Sequence, residues 1–211
     1  MKKHITRLLF AALLLLALCI GASAAETSGK CGPSAYWSFD SSTGTLTISG
    51  SGAMNDCVFQ WGDPDPRPWS AYLSEIKTVV IGDSITKIGK ESFSSLSCTT
   101  VRIGKNVQVI GENAFMNCTS LTGDLVIPDS VTTIDRWAFF GSVISNGTLT
   151  LGKGLRTIGE RAFTDCSFSG GLTIPEGVTE IAEGAFCSSS KYSGSPAHGK
   201  ITGTLTLPGG S

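Results

Sequence analysis

From residue 79 onward one order of apolar and polar positions recurs five times. The copies align on Phe93, Phe115, Phe139, Phe163 and Phe186, which are 22, 24, 24 and 23 residues apart. Five residues before each stands Ile88, Ile110, Ile134, Ile158 or Ile181. Three before those stands Ile85, Val107, Val131, Leu155 or Val178. Further upstream come the pairs Val79/Ile81, Val101/Ile103, Leu125/Ile127, Leu149/Leu151 and Leu172/Ile174, and Leu205/Leu207 opens a sixth copy. A fixed period of this size is the mark of a solenoid.

Each pair is an apolar-x-apolar step. It predicts a short strand with two side chains inward and the middle one outward. Gly82, Gly104, Pro128, Gly152 and Pro175 follow and stop the strand. The segment around Ala-Phe (Ala114-Phe115, Ala138-Phe139, Ala162-Phe163 and Ala185-Phe186) is expected to form one or two helical turns that carry Phe inward. The expected fold class is therefore an α+β repeat solenoid: stacked short strands with short helical turns. One copy cannot fold alone, because its five apolar side chains do not offset the entropy of ordering the rest of the copy. Stability has to come from surfaces shared between neighbours.

Residues 31–76 lack the repeat. Tyr36–Phe39 and Thr45–Ile48 alternate apolar and polar around Asp40-Ser41-Ser42-Thr43-Gly44, which predicts a β-hairpin. Pro68-Trp69-Ser70-Ala71-Tyr72-Leu73 predicts a short helix with Pro in its first turn. A stack has an open apolar face at its first coil, and this segment is expected to cover it. At the other end, Ser188 to Gly203 is polar and enlarges the step to Leu205, so a loop is expected there.

The pattern Leu125-Val126-Ile127-Pro128-Asp129-Ser130-Val131-Thr132-Thr133-Ile134, closed by Ala138-Phe139, resembles the leucine-rich repeats of bacterial surface proteins of the BspA-like, or Treponema pallidum, type. Leu172-Thr173-Ile174-Pro175-Glu176-Gly177-Val178 with Ala185-Phe186-Cys187 resembles them too, and the resemblance spans about Ile76–Ser211. It implies a secreted or surface-displayed protein, with adhesin-like binding of host proteins or other cells in some members.

The N-terminus agrees with export. Lys2, Lys3 and Arg7 precede the apolar run Leu8 to Ile20, and Ala22-Ser23-Ala24 is a small-x-small cleavage site. A run of that length does not span a bilayer as a helix. The expected organisation is a signal peptide over 1–24, an N-terminal cap over 25–76, five repeats over 77–187, and a polar loop with an incomplete sixth repeat over 188–211. The unfinished sixth copy is expected either in a fragment of a longer protein or where the last strand and the long loop cover the end imperfectly. Removing Lys2, Lys3 and Arg7 from the 16 basic residues leaves 13 against 17 acidic. That balance, with no basic run, argues against nucleic acid and anionic membrane as partners.

Chemistry is sparse. After leader removal the only histidine is His198, which with Cys187 makes a poor nucleophile–base pair. Asp63-x-Asp65 lacks the Gly and Glu of a calcium loop. No C-x-x-C is present, so no metal is assigned. Six cysteines remain: Cys31, Cys57, Cys98, Cys118, Cys166 and Cys187. Cys31 could pair with Cys57, and Cys98 with Cys118 on the adjacent coil; Cys118 and Cys166 are two coils apart, ~10 Å, too far to bridge. The expected role is a binding module at the cell surface with no catalysis and no cofactor. Its partner would be a protein or glycan of another cell or matrix, not a small-molecule substrate. The alternative is a structural spacer in a larger surface protein. The candidate contacts are the outward residues of the strands, Val80, Arg102, Val126, Thr150, Thr173 and Thr206, with Trp137 as a second contact.

Overall fold

The computed structural model describes residues 27–188, 201–202 and 205–207. The expected signal peptide and most of the expected loop after Ser188 lie outside the described residues.

The hairpin forms between Ala35–Asp40 and Thr45–Gly50, with Phe39 opposite Leu46 and Trp37 opposite Ile48. Asp40 builds its turn: the backbone N–H and hydroxyl of Ser42 and the hydroxyl of Thr43 donate to its carboxylate at 2.9, 2.6 and 3.0 Å. Such local bonds are why Asp and Ser favour turns. The alternation puts Ala35, Trp37, Phe39, Leu46 and Ile48 in the core. Thr45–Gly50 then pairs in parallel with Thr78–Ile81, which pairs with Thr100–Arg102. The hairpin is thus part of the same sheet as the first repeat strands. Further along, Leu125–Val126 pairs with Leu149–Thr150, and Leu172–Thr173 with Leu205–Thr206, as separate two-stranded sheets.

A second face of the coil is a six-stranded parallel sheet. It runs from Gly52–Ala53 through Ile85–Ile88, Val109–Ile110, Thr133–Ile134 and Thr157–Ile158 to Glu180–Ile181. A third set of two-residue strands, Leu121–Thr122 with Ile144–Ser145 and Phe168–Ser169 with Ile201–Thr202, was not predicted from the sequence.

After the second strand of each coil comes the phenylalanine. Rings 93, 115, 139, 163 and 186 form one column, with neighbouring centroids 5.2, 5.2, 5.3 and 5.4 Å apart and planes tilted by at most 19°. Trp69 stacks on Phe93 at 5.5 Å and ends the column. Near-parallel rings at this spacing gain about 0.5–1.5 kcal/mol a pair beyond area burial.

The helical turns expected around each Phe do not form, so the fold is a nearly all-β solenoid, not α+β. Among the described residues the sole helical element is the 3-10 turn Ser70–Tyr72, where a longer helix was expected. The reason lies in the backbone. Glu91, Asn113, Trp137 and Arg161, each two residues before a Phe, have φ between +52° and +57°, and Gly184 has +68°. Ser95, Asn117, Gly141 and Asp165, two residues after, are also left-handed. A right-handed helix cannot pass through such residues. Alternate N–H groups therefore leave the coil: Glu91, Phe93 and Ser95 donate to the carbonyls of Glu112, Ala114 and Met116 at 3.0, 2.9 and 2.7 Å. Asn113, Phe115 and Asn117 repeat this one coil later, to Arg136, Ala138 and Phe140. Backbone groups that a helix would satisfy within one copy are satisfied by the next.

Candidate functional site

The outward middle residue of each first-face strand follows from strand alternation, and its alignment follows from register. Val80 lies beside Arg102, Val126 beside Thr150 and Thr173 beside Thr206. Val126 is 55% exposed, Val80 is half-buried, and the others are exposed. The row begins one strand earlier than the repeat, because Thr47 of the hairpin pairs with Val80. Sequence reasoning missed Thr47, although the Thr45-Leu46-Thr47-Ile48 alternation carried the signal.

Towards the C-terminal coils this face opens into a concavity of about 930 Å³. Its walls include Thr150 and Thr173 from the row together with Lys153, Arg156 and Glu176. Lys153 is fixed through its backbone, whose N–H donates to the Asp129 carboxylate at 2.8 Å. Arg156 donates to the carbonyls of Lys153 and Leu155 at 3.2 and 2.9 Å. The face thus combines hydroxyls, two cations and a carboxylate, a set that hydrogen-bonds a polar partner and offers no activated nucleophile. Lys153 and Arg156 were not weighed from the sequence.

Trp137 does not join this row. It lies in the left-handed turn, where Asn113 and Arg161 occupy the same position in the adjacent coils. Its ring is half-buried and packs under the Arg136 guanidinium at 3.8 Å. Its indole N–H is buried without a hydrogen-bond partner. Met116, Trp137, Phe140 and Arg161 bound a concavity of about 190 Å³ there. Met116 also borders a second one of about 410 Å³, with Phe59, Arg67 and Asn113. Phe59 is 41% exposed, and Trp61, two residues on, is fully exposed. Both were missed; their place in an irregular Pro-rich stretch gave no periodic signal.

The remaining candidates resolve in turn. Asp65 is taken by Arg67, whose buried guanidinium lies 2.6 Å away and also donates to Ser94 O at 2.7 Å. Burial pushes the Asp65 carboxyl up, but hydrogen bonds from Arg67 outweigh it and hold the pKa below its ordinary value. Among the described residues no cluster of three or more His, Cys, Asp or Glu could hold a metal ion. His198 lies outside the described residues. Five cysteines are buried thiols and Cys187 is exposed. Burial raises the Cys31 thiol to about 12, with the neighbouring Cys57 adding to the effect. Burial likewise raises Cys166 to about 12.

A family model described as BspA type leucine rich repeat region, in six copies, matches residues 86–194, more than half of the chain. The chain belongs to that family. No curated protein matches it. Among solved structures, a leucine-rich repeat protein from Eubacterium ventriosum ATCC 27560 is similar over 74% of this chain, with 25% identity and a TM-score of 0.59. This chain spans 39% of the length of that protein. A leucine rich cell surface protein from Faecalibacterium prausnitzii A2-165 aligns over 88% of this chain and 79% of its own, at 16% identity and a TM-score of 0.28. Among the described residues of this BspA-type chain, no helix is long and apolar enough to cross a membrane.

Proposed function

We propose that this BspA-type stack is a binding module displayed outside the cell, adhesin-like, which holds a protein of another cell or matrix on its first strand face and performs no catalysis. The observation that supports this reading is the outward-facing series of strand pairs Val80–Arg102, Val126–Thr150 and Thr173–Thr206, each pair held in register. Within each pair the strands are hydrogen-bonded, so the pair is preorganised and a partner that binds it does not have to order it. Repeat stacks present extended surfaces of this kind. Trp137 provides a separate contact on the turn side.

The test is a binding screen of residues 25–211 against extracellular-matrix proteins and glycans. Arg102→Glu and Val126→Asp are expected to weaken saturable binding by about tenfold or more, the loss of one well-buried contact. Saturable binding that neither of these nor Trp137→Ala alters would overturn the choice of surface. No binding to any polypeptide or glycan would leave the spacer role, in which the stack holds another domain away from the cell.

A further inference from the structure

Cys98 and Cys118 face each other across the seam between the first two coils, and we infer that they close to a disulfide while the stack assembles. The placement follows from register. Ser95 N donates to Met116 O at 2.7 Å, and Thr122 N donates to Thr99 O at 2.8 Å. Cys98 lies between Ser95 and Thr99, and Cys118 between Met116 and Thr122. Both side chains are fully buried. Their thiols share a hydrogen bond, and Cys118 Sγ also lies 3.2 Å from Phe93 O. Backbone bonds on both sides of the pair hold the two segments side by side, as the short Cα separation of a disulfide requires. Cys166 and Cys187 also sit in adjacent coils, but one is buried and the other exposed, so their thiols do not share a site.

The oxidant is a disulfide such as oxidised glutathione. Either cysteine can attack first as its thiolate, here Cys98. The Cys98 thiolate bonds to one sulfur of the oxidant and expels the other as a thiolate, which takes up the proton Cys98 released. Cys118 then loses its proton and attacks the Cys98 sulfur, breaking the mixed disulfide and releasing the second thiol. The protein loses two hydrogens and the oxidant becomes two thiols. Coil three seals the pair, since Val143 N donates to Cys118 O at 3.1 Å and Cys118 N donates to the Ser142 hydroxyl at 3.2 Å. The exchange therefore belongs to folding, before that coil docks.

The experiment refolds the full chain from denaturant in reduced and oxidised glutathione, blocks free thiols, and maps peptides without reduction. The expected product joins Cys98 to Cys118. Its Tm exceeds that of the reduced protein by about 10 °C, the scale for closing a loop of this length in a chain of this size. Cys98→Ser removes the rise. Mapping the unsubstituted protein needs no variant to fold. Folded, oxidised protein in which Cys98 and Cys118 are both blocked, or in which Cys98 is joined elsewhere, overturns the inference.

Discussion

The first and fifth coils carry the same motif and bury it differently. In the first coil Ile85, Ile88 and Phe93 are wholly buried. The hairpin strand Thr45–Gly50 pairs with Thr78–Ile81 of that coil, Gly52–Ala53 pairs with Ile85–Ile88, and Trp69 lies over the Phe93 ring. In the fifth coil the equivalent Val178 and Phe186 are half-buried, and Ile181 is 43% exposed. The residue types are nearly identical, so the difference comes from neighbours. On the second face Glu180–Ile181 is the edge strand among the described residues, and a strand is enclosed only where a coil or a cap lies on both sides of it.

The largest effect is expected from the ring column. Phe139 has rings on both faces, at 5.2 and 5.3 Å, whereas Phe186 has one at 5.4 Å among the described residues. Phe139→Ala is expected to cost about 3–5 kcal/mol, the range for a fully buried aromatic. Phe186→Ala is expected to cost less than half as much, because it starts half-exposed and leaves a site open to water. Urea denaturation of the two variants measures both. Equal losses would break the comparison, since they would mean that the fifth coil is as enclosed as the third.

At the closed end the next test is electrostatic. Arg67 is 6% exposed and Asp65 neutralises it. Removing one partner of a buried pair leaves an uncompensated charge, so Asp65→Asn is expected to destabilise by about 2–4 kcal/mol. Acid acts in the same direction. The folded pKa of Asp65 lies below its ordinary value. Its contribution is therefore fully present above the unfolded pKa of about 3.9 and is lost as pH falls through the lower folded value. Urea midpoints taken from pH 6 downward should fall in that acid window, and fall less in Asp65→Asn. A midpoint that ignores acid would separate Arg67 from the stability of this end.

In the middle of the stack, Ser142 tests how much one buried hydroxyl contributes. It donates to Phe115 O at 2.6 Å and accepts from Cys118 N at 3.2 Å, so it joins the second and third coils. Ser142→Ala leaves Phe115 O and Cys118 N only the long 3.4 Å bond between them, at an expected cost of about 1–3 kcal/mol. Thermal unfolding of the variant checks this, and an unchanged Tm would mean that the coils do not depend on that bridge.

The apolar skeleton was legible because its period lies in the chain itself: Ile134 and Phe139 recur in every copy, and five copies fix the register. The outward row was legible for the same reason, since alternation determines which side of a strand faces out. The turn conformation was not. Asn113, Asn117 and Gly184 are residue types that tolerate a left-handed backbone, but Glu91, Trp137 and Arg161 hold the same conformation without any local preference for it. There the inter-coil hydrogen bonds override propensity, and those exist only once the stack does. The third set of strands was missed because Leu121–Thr122 and its equivalents are too short to show any period. The concavity at Lys153 and Arg156 depends on how two coils meet, which no single copy displays.

Trp137 and Gly184 return the comparison to one position in the third and fifth coils. Both are left-handed, at +55° and +68°. For a bulky L-residue that conformation costs roughly 1–2 kcal/mol, and for glycine almost nothing. Trp137 offsets part of the cost through its contact with Arg136 at 3.8 Å, and it leaves its indole N–H buried and unbonded. Trp137→Gly removes the backbone strain and the unbonded donor but also removes the ring. The net change is expected to be small, a gain of about 0.5–1 kcal/mol, read as a higher urea midpoint. Such a gain would mean that the third coil carries an aromatic the stack does not need, which strengthens Trp137 as a contact for a partner. A loss of about 2 kcal/mol or more would instead make the ring part of the packing, and the surface at Met116 and Phe140 would then owe its shape to folding alone.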